Sequence, residues 1–198
     1  MKICVIGWHF HSHFFKVLSS VQNRYLVSVI CHRQGNTEGL PKTLIPNIGL
    51  EFGSYNFYLM NMWNEESDVL FIHDDIRLLD TTFFSRIEKT TTDQVFIFSN
   101  EAERLYNSNA HGRAFFCSYR FLHRLKKDGG FQYDSGNKGF VADGHYTDTK
   151  PPEGCGHHNK AIHAFVRYLE KIKNETDMIV GVPIISNDIV CARRGKYK

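Results

Sequence analysis

The sequence predicts an α/β protein, a three-layer α/β/α sandwich around a mainly parallel but mixed central sheet. Strand-like and helix-like segments alternate along the chain. The run Val69 to Ile72 is short, apolar and flanked by charge, as in a buried central strand. The pattern changes after the segment Gln94 to Ser99, and an antiparallel insertion somewhere in the sheet is left open. A chain of 198 residues is long enough for one well-buried core and short for two, so a single domain spanning 1–198 is expected.

Element by element, Lys2 to Gly7 reads as the first strand, His11 to Val21 as a helix, and Tyr25 to Cys31 as a β-branched second strand. Gln34 to Gly39 and Pro41 make a loop. Phe52, Tyr55, Leu59 and Met62 recur at helical spacing between Phe52 and Trp63 and lead into the strand Val69 to Ile72. Thr82 to Lys89 suits a short helix and Gln94 to Ser99 a strand. Phe115 to Tyr119 reads as a strand and Arg120 to Lys127 as a helix stopped by Asp128-Gly-Gly130. The stretch from Asp134 to Gly156, rich in Gly, Asp, Thr and Pro, is expected to be a long functional loop. Ala161, Ile162, Phe165, Val166, Leu169 and Ile172 form the apolar face of a last helix, and Met178 to Ile185 a last strand.

Composition narrows the function classes. A formal charge of +3 gives no mandate for nucleic-acid binding, and the basic end Arg193 to Lys198 reads as a solvated tail. Five cysteines, widely spaced and without a Cys-x-x-Cys pair, argue against a disulfide framework and for a reducing compartment. The opening apolar run is too short for a signal peptide, and no later stretch approaches a transmembrane span. The expectation is a soluble, cytoplasmic protein, with peripheral membrane contact left open. Whether the chain is one domain of a longer protein is open too.

Chemistry concentrates where Val69-Leu-Phe-Ile-His73 breaks into the adjacent carboxylates Asp74 and Asp75. Open α/β sheets place ligands at strand exits, and two neighbouring anions there call for a positive partner, for which a divalent cation is the economical choice. The alternative is that the pair caps a following helix. Nucleotide cofactors with glycine-rich phosphate loops are disfavoured: the first strand is followed by Gly7-Trp-His-Phe-His-Ser12, not G-x-G-x-x-G, and no P-loop occurs. The aromatic and imidazole groups there suit stacking on a base and hydrogen bonding to a ribose, although Trp8 and Phe10 also read as core residues.

The order of these segments resembles a known family. Pro46-Asn-Ile-Gly-Leu-Glu-Phe-Gly-Ser-Tyr-Asn56, a helix, and then the strand ending His73-Asp74-Asp75 are similar to the nucleotide-sugar-binding half of GT-A glycosyltransferases of the family 2 type. Gly112 to Phe131, ending in Gly129-Gly-Phe131, resembles the segment that leads into that family's acceptor region. The resemblance implies a GT-A-like nucleotide-diphospho-sugar transferase fold, with residues 1–100 as the nucleotide-sugar-binding half and 101–198 as the acceptor half. It implies a hexosyltransferase-type enzyme that moves a sugar from a nucleotide-diphosphate donor, a UDP-sugar for preference, to a hydroxyl of a glycan or other acceptor. Mn²⁺ or Mg²⁺ would bridge the diphosphate to the protein, since charge builds on the leaving oxygens as the sugar departs.

By the same resemblance Asp75 would bind the metal, while Asp74 would face the ribose or the metal's water shell. His73 stands where the family usually has an acidic residue. The ends of the first two strands would cradle the nucleoside through Gly7, Trp8, His9, His32 and Arg33, with His32 and Arg33 where the family reads the base through an acidic residue. Gly53 and Asn56 match the family's pattern on the following helix, and both also read as helix-to-sheet packing. An inverting transferase needs a carboxylate base, for which Asp143 and Asp148 are favoured by position and Asp134 is a further candidate. A retaining mechanism would not need that base. His157, at the start of the last helix beside Cys155 and His158, is a candidate further metal ligand or diphosphate contact. A dedicated zinc site is not expected, because no second ligand pair follows at regular spacing. Two other functions compete: a nucleotide-sugar-binding module without turnover, and a metal-dependent phosphoryl-transfer or nuclease domain.

Overall fold

The computed structural model describes residues 1–74, 76–78, 81–88, 94–98, 114–133, 156–184 and 189–191. The elements are β1 (Lys2–Gly7), α1 (Ser12–Val21), β2 (Leu26–Cys31), β3 (Lys42–Leu44), α2 (Leu50–Asn61), β4 (Val69–His73), β5 (Ile76–Leu78), α3 (Thr82–Glu88), β6 (Gln94–Phe98), β7 (Ala114–Cys117), α4 (Tyr119–Lys127), α5 (Gly156–Glu175), β8 (Ile179–Ile184) and β9 (Ile189–Cys191). Every strand and helix expected from the sequence is present. Three short strands, β3, β5 and β9, come in addition.

Seven strands form one sheet in the order β3-β2-β1-β4-β7-β6-β8. Neighbours are parallel from β3 through β4 and again between β6 and β8. β7 runs antiparallel to both β4 and β6, which makes the sheet mixed. β5 and β9 pair separately as an antiparallel ribbon.

Helices cover both faces. Ile3 and Val5 of β1, with Leu70 and Ile72 of β4, pack against Phe14, Phe15 and Leu18 of α1 and against Phe83, Phe84 and Ile87 of α3. The alternate residues Cys4, Ile6, Val69 and Phe71 face α2, α4 and α5. Burial on both faces is why β4 reads as an unbroken apolar run, with each of its residues buried. The α2 side is filled by rings: Phe71 stacks on Phe115 at 5.0 Å, Tyr55 meets Phe115 edge-on at 5.1 Å, and Phe131 closes on Phe71 at 5.4 Å. Such offset and edge-to-face pairs add about 0.5–1.5 kcal/mol each beyond their buried area.

Local chemistry sets the boundaries. β7 stops at Cys117 because the buried Ser118 caps α4, its hydroxyl accepting from the Phe121 N–H at 3.3 Å. Arg124, Lys126 and Lys127 sit in the last turn of α4, where cations suit the helix dipole. Gly129 and Gly130 then turn the chain at φ 101° and 83°, conformations that favour glycine. Asp128 ties this turn to α5: it accepts from Arg124 at 2.9 Å and from the Tyr168 hydroxyl at 3.0 Å. The Arg124 hydrogen bond, opposed by burial and helped by Tyr168, holds the Asp128 carboxyl below the usual range. Cys4, Cys31 and Cys117 are buried free thiols. Among the described residues no helix is long and apolar enough to cross a membrane.

Candidate functional site

The chain leaves β1 toward one side of the sheet, building β2 and β3, and returns to place β4 on the other side of β1. The crevice beyond the carboxyl ends of β1 and β4 is therefore the topological switch point, where open α/β sheets bind ligands. Residues 7–10 and 73–74 meet there.

Asp74 organises this crevice. Fully buried, it directs Oδ2 at three successive backbone N–H groups, those of Trp8 at 2.9 Å, His9 at 2.7 Å and Phe10 at 2.6 Å. Phe10 completes the turn at φ 56°, outside the usual range for a non-glycine residue. Successive N–H groups converging through a left-handed residue form an anion nest. Here the nest is filled by the chain's own carboxylate, so the loop after β1 does not offer a free phosphate cradle. Nor does Asp74 cap a helix: the segment that follows is the strand β5.

The other oxygen, Oδ1, is buried, makes no hydrogen bond among the described residues, and faces His73 Nδ1 at 3.5 Å. The opposite nitrogen of that ring, Nε2, lies 3.9 Å from Glu51 Oε1 in the first turn of α2. His9 brings its own ring over His73, centroids 5.8 Å apart, and stacks on His11 at 5.5 Å. A ring nitrogen of His9, one of His73 and a carboxylate oxygen of Asp74 all lie within 4.8 Å of one another, close enough to share a divalent cation. The orphaned buried oxygen and the two imidazoles fit such an ion chemically.

Beside this cluster stands an aromatic and cationic platform. Arg33 donates from Nε to the Trp8 carbonyl at 2.7 Å and lies over the rings of Trp8 and Phe10, 5.5 and 5.6 Å from their centroids. Trp8 meets the His32 ring edge-on at 6.0 Å. His32 is pinned from both ends, Nδ1 to the Ile45 carbonyl at 3.4 Å and Nε2 to the Ser54 hydroxyl at 2.7 Å. A carbonyl only accepts, so Nδ1 donates to Ile45, while the Ser54 hydroxyl lies between His32 Nε2 and the Leu50 carbonyl, 3.1 Å away. Burial pushes the His32 pKa down, the Ile45 carbonyl opposes this, and the neighbouring His73 adds to it. Gly7 lies in close packing, where a Cβ would sit 3.0 Å from Cys31 Sγ.

Among the sequence candidates, then, Gly7, Trp8, His9, His32, Arg33, His73 and Asp74 come together. Gly53 and Asn56 lie on α2, whose first turns border the crevice through Glu51 and Ser54. A Cβ on Gly53 would overlap the Ile48 carbonyl, and Asn56 Oδ1 lies against Gly130. His157 falls in the first turn of α5, its side chain outside the described residues. Asp75, Asp134, Asp143 and Asp148 also lie outside them. The sequence reading gave no role to Glu51 or Ser54. Nothing in the local pattern marks either, because it is the packing of α2 on the sheet that brings them to His73 and His32.

No protein-family model matches the chain, and no curated protein does. Among solved structures, the catalytic domain of Drosophila β1,4-galactosyltransferase 7 in complex with xylobiose is similar, with a TM-score of 0.55 at 9% identity, over 100% of this chain and 71% of that one. A mutant of that enzyme in complex with manganese, UDP-Gal and xylobiose gives 0.53 at 8% identity, over 97% of this chain and 71% of that one. A putative glucose-1-phosphate thymidylyltransferase from Bacillus anthracis gives 0.52 at 10% identity, over 97% of this chain and 89% of that one. The likeness is one of fold: this chain has the GT-A-like fold of nucleotide-diphospho-sugar transferases.

Proposed function

We propose that the chain is a metal-dependent glycosyltransferase that moves a sugar from a nucleotide-diphosphate donor, in the first instance a UDP-sugar, to a hydroxyl of a glycan or other acceptor. The observation that carries this reading is the joining, at the β1/β4 switch point, of a cation-compatible cluster with the Trp8–Arg33–His32 platform. Two structures of one similarly folded galactosyltransferase, one of them a mutant holding manganese, UDP-Gal and xylobiose, support a sugar-nucleotide donor.

In this reading the base stacks beside Trp8 and Arg33, and the ribose lies toward His9 and His73. A bound divalent cation would stabilise charge on the leaving diphosphate. The sugar's C1–O bond to the diphosphate breaks with its electron pair leaving on the diphosphate, and the acceptor oxygen forms the new bond to C1. The acceptor's proton passes to a carboxylate, Asp143 or Asp148. Asp74, Asp75 and His157 are the metal-ligand candidates drawn from the sequence, and of these Asp74 stands at the crevice.

Calorimetric titration of UDP, GDP and CMP with and without Mn²⁺, followed by sugar transfer or release from the labelled donor, tests the proposal. Metal-dependent binding of one nucleotide with turnover of its sugar conjugate is expected. Binding without turnover would make the chain a binding module. The thymidylyltransferase likeness favours nucleotidyl transfer as the second reading. Pyrophosphate formation from a nucleoside triphosphate and a sugar phosphate, with no glycoside product, would select it.

A further inference from the structure

We propose that Tyr133 is the platform of a subsite for a pyranose ring, so that the acceptor hydroxyl belongs to a sugar and not to a peptide or a simple alcohol. Naming that sugar the acceptor rests on the transferase reading. Binding of a pyranose at Tyr133 does not, and it is measured without a donor.

The ring is seated on backbone. Tyr133 lies over Gly49, where a Cβ would come 2.1 Å from its Cδ2 and 2.7 Å from its Cγ. Gly49 stands at φ 77°, so its conformation and its missing side chain both serve this contact. Supported in this way, the Tyr133 ring is still 37% exposed, and Ile48, which precedes Gly49, is 41% exposed. Tyrosine offers a large amphipathic contact area and loses little freedom on binding.

Position ties the platform to the crevice. Phe131 anchors the segment that carries Tyr133, packing on Phe71 of β4 at 5.4 Å and on Phe115 of β7 at 5.9 Å. In the sheet order β2-β1-β4-β7, Arg33 and Trp8 stand at the ends of β2 and β1, and the Tyr133 segment is held on β4 and β7. His73, the last residue of β4, comes between the two platforms. The seat of Tyr133 is also only two residues from Glu51, whose carboxylate lies 3.9 Å from His73 Nε2. A sugar passing from donor to acceptor requires both to be held side by side, and Tyr133 lies across His73 from the base platform.

The ligand class follows from the surface offered. A pyranose has an apolar face of C–H groups and a rim of hydroxyls. An aromatic face suits the first, and the phenol, which both donates and accepts, suits the second. The adjoining Gln132 is exposed and carries a further donor and acceptor. A serine side chain or a short alcohol has no such face to stack. Tyr119 supplies the contrast: it is 40% exposed, but the antiparallel course of β7 puts it at the other end of the sheet, beside Asp68.

Saturation-transfer NMR on the full chain tests the proposal. The probes are the methyl β-pyranosides of xylose, glucose and galactose, with N-acetylserine methylamide and isopropanol as comparators, each without and with UDP and Mn²⁺. At least one pyranoside is expected to take up saturation on its ring C–H protons, and the comparators none. Tyr133→Ala and Tyr133→Leu should weaken its binding by about 3- to 10-fold, and Tyr133→Phe by no more than about twofold. Tyr119→Ala should leave it unchanged. Tyr133→Leu still covers Gly49, so it carries the test if Tyr133→Ala fails to fold. Saturation of no pyranoside, equal saturation of the comparators, or full pyranoside affinity in Tyr133→Leu would overturn the proposal. Pyranoside binding that needs Tyr133 in a chain that binds no nucleotide would uphold the subsite and remove the transferase reading. Sugar transfer from a nucleotide donor with pyranoside binding indifferent to Tyr133 would do the reverse.

Discussion

Phe10 donates its backbone N–H to Asp74 Oδ2 across 2.6 Å while standing at φ 56°, so a carboxylate at the end of β4 holds a strained residue at the end of β1. Removing the carboxylate strands three N–H groups at once, each worth about 1–3 kcal/mol if left without a partner. Asp74→Ala is expected to lower stability by about 3–5 kcal/mol. Asp74→Asn keeps an acceptor oxygen and should lose less than half of that. Urea unfolding of the two variants checks the order.

Trp8 should carry part of the affinity for the nucleotide. Stacking of a base on an aromatic ring contributes about 1–3 kcal/mol, so Trp8→Ala is expected to weaken UDP binding by about 5- to 150-fold in calorimetry. Arg33→Ala removes the guanidinium that clamps the Trp8 carbonyl and lies over its ring, and its effect should be non-additive with that of Trp8→Ala. Unchanged affinity in Trp8→Ala would place the base elsewhere.

Asp128 predicts a pH effect. Its carboxyl is held below the usual range, first by the Arg124 hydrogen bond. The folded state therefore binds this proton less readily than the unfolded chain does. The Arg124–Asp128–Tyr168 contacts stabilise fully above the unfolded pKa of about 3.9 and are lost as pH falls below it, through the depressed folded value. Asp128→Asn should flatten the fall in stability between about pH 4 and pH 2 and change its pH dependence little at neutrality. Thermal unfolding across that range measures the difference.

Gly130 couples conformation to contact. An alanine there must adopt φ 83° and also overlap Asn56 Oδ1. The left-handed conformation alone costs about 1–2 kcal/mol. Gly130→Ala is expected to exceed that figure, and adding Asn56→Ala should recover the excess and leave the conformational part. A double-mutant cycle on stability separates the two.

Much of this architecture was legible in the sequence, for physical reasons that vary by element. β4 was plain because both of its faces are buried, so every residue from Val69 to Ile72 is apolar. The end of α4 was plain because only glycine suits the turn at 129–130. β3, with Lys42 and Leu44 exposed, and the three-residue strands β5 and β9 carry too little pattern to stand out. At the crevice the residue types at 7–9, 32–33 and 73–74 announced chemistry. Their division of labour was hidden, because Asp74 spends one oxygen on backbone N–H groups 64 to 66 residues away, and no local spacing encodes that.

The reversed strand β7 has a consequence for how the protein is made. β4 lies between β1 and β7, and Val69 to Ile72 pair with Cys117 to Ala114. While the ribosome has yet to deliver Ala114, the β4 edge has no neighbour on that side, and the rings of Tyr55 and Phe71 lack Phe115 and Phe131. An open apolar edge is a template for pairing with another chain. A nascent chain arrested before residue 114 is thus the aggregation-prone species, and chaperone dependence should fall once β7 has threaded into place.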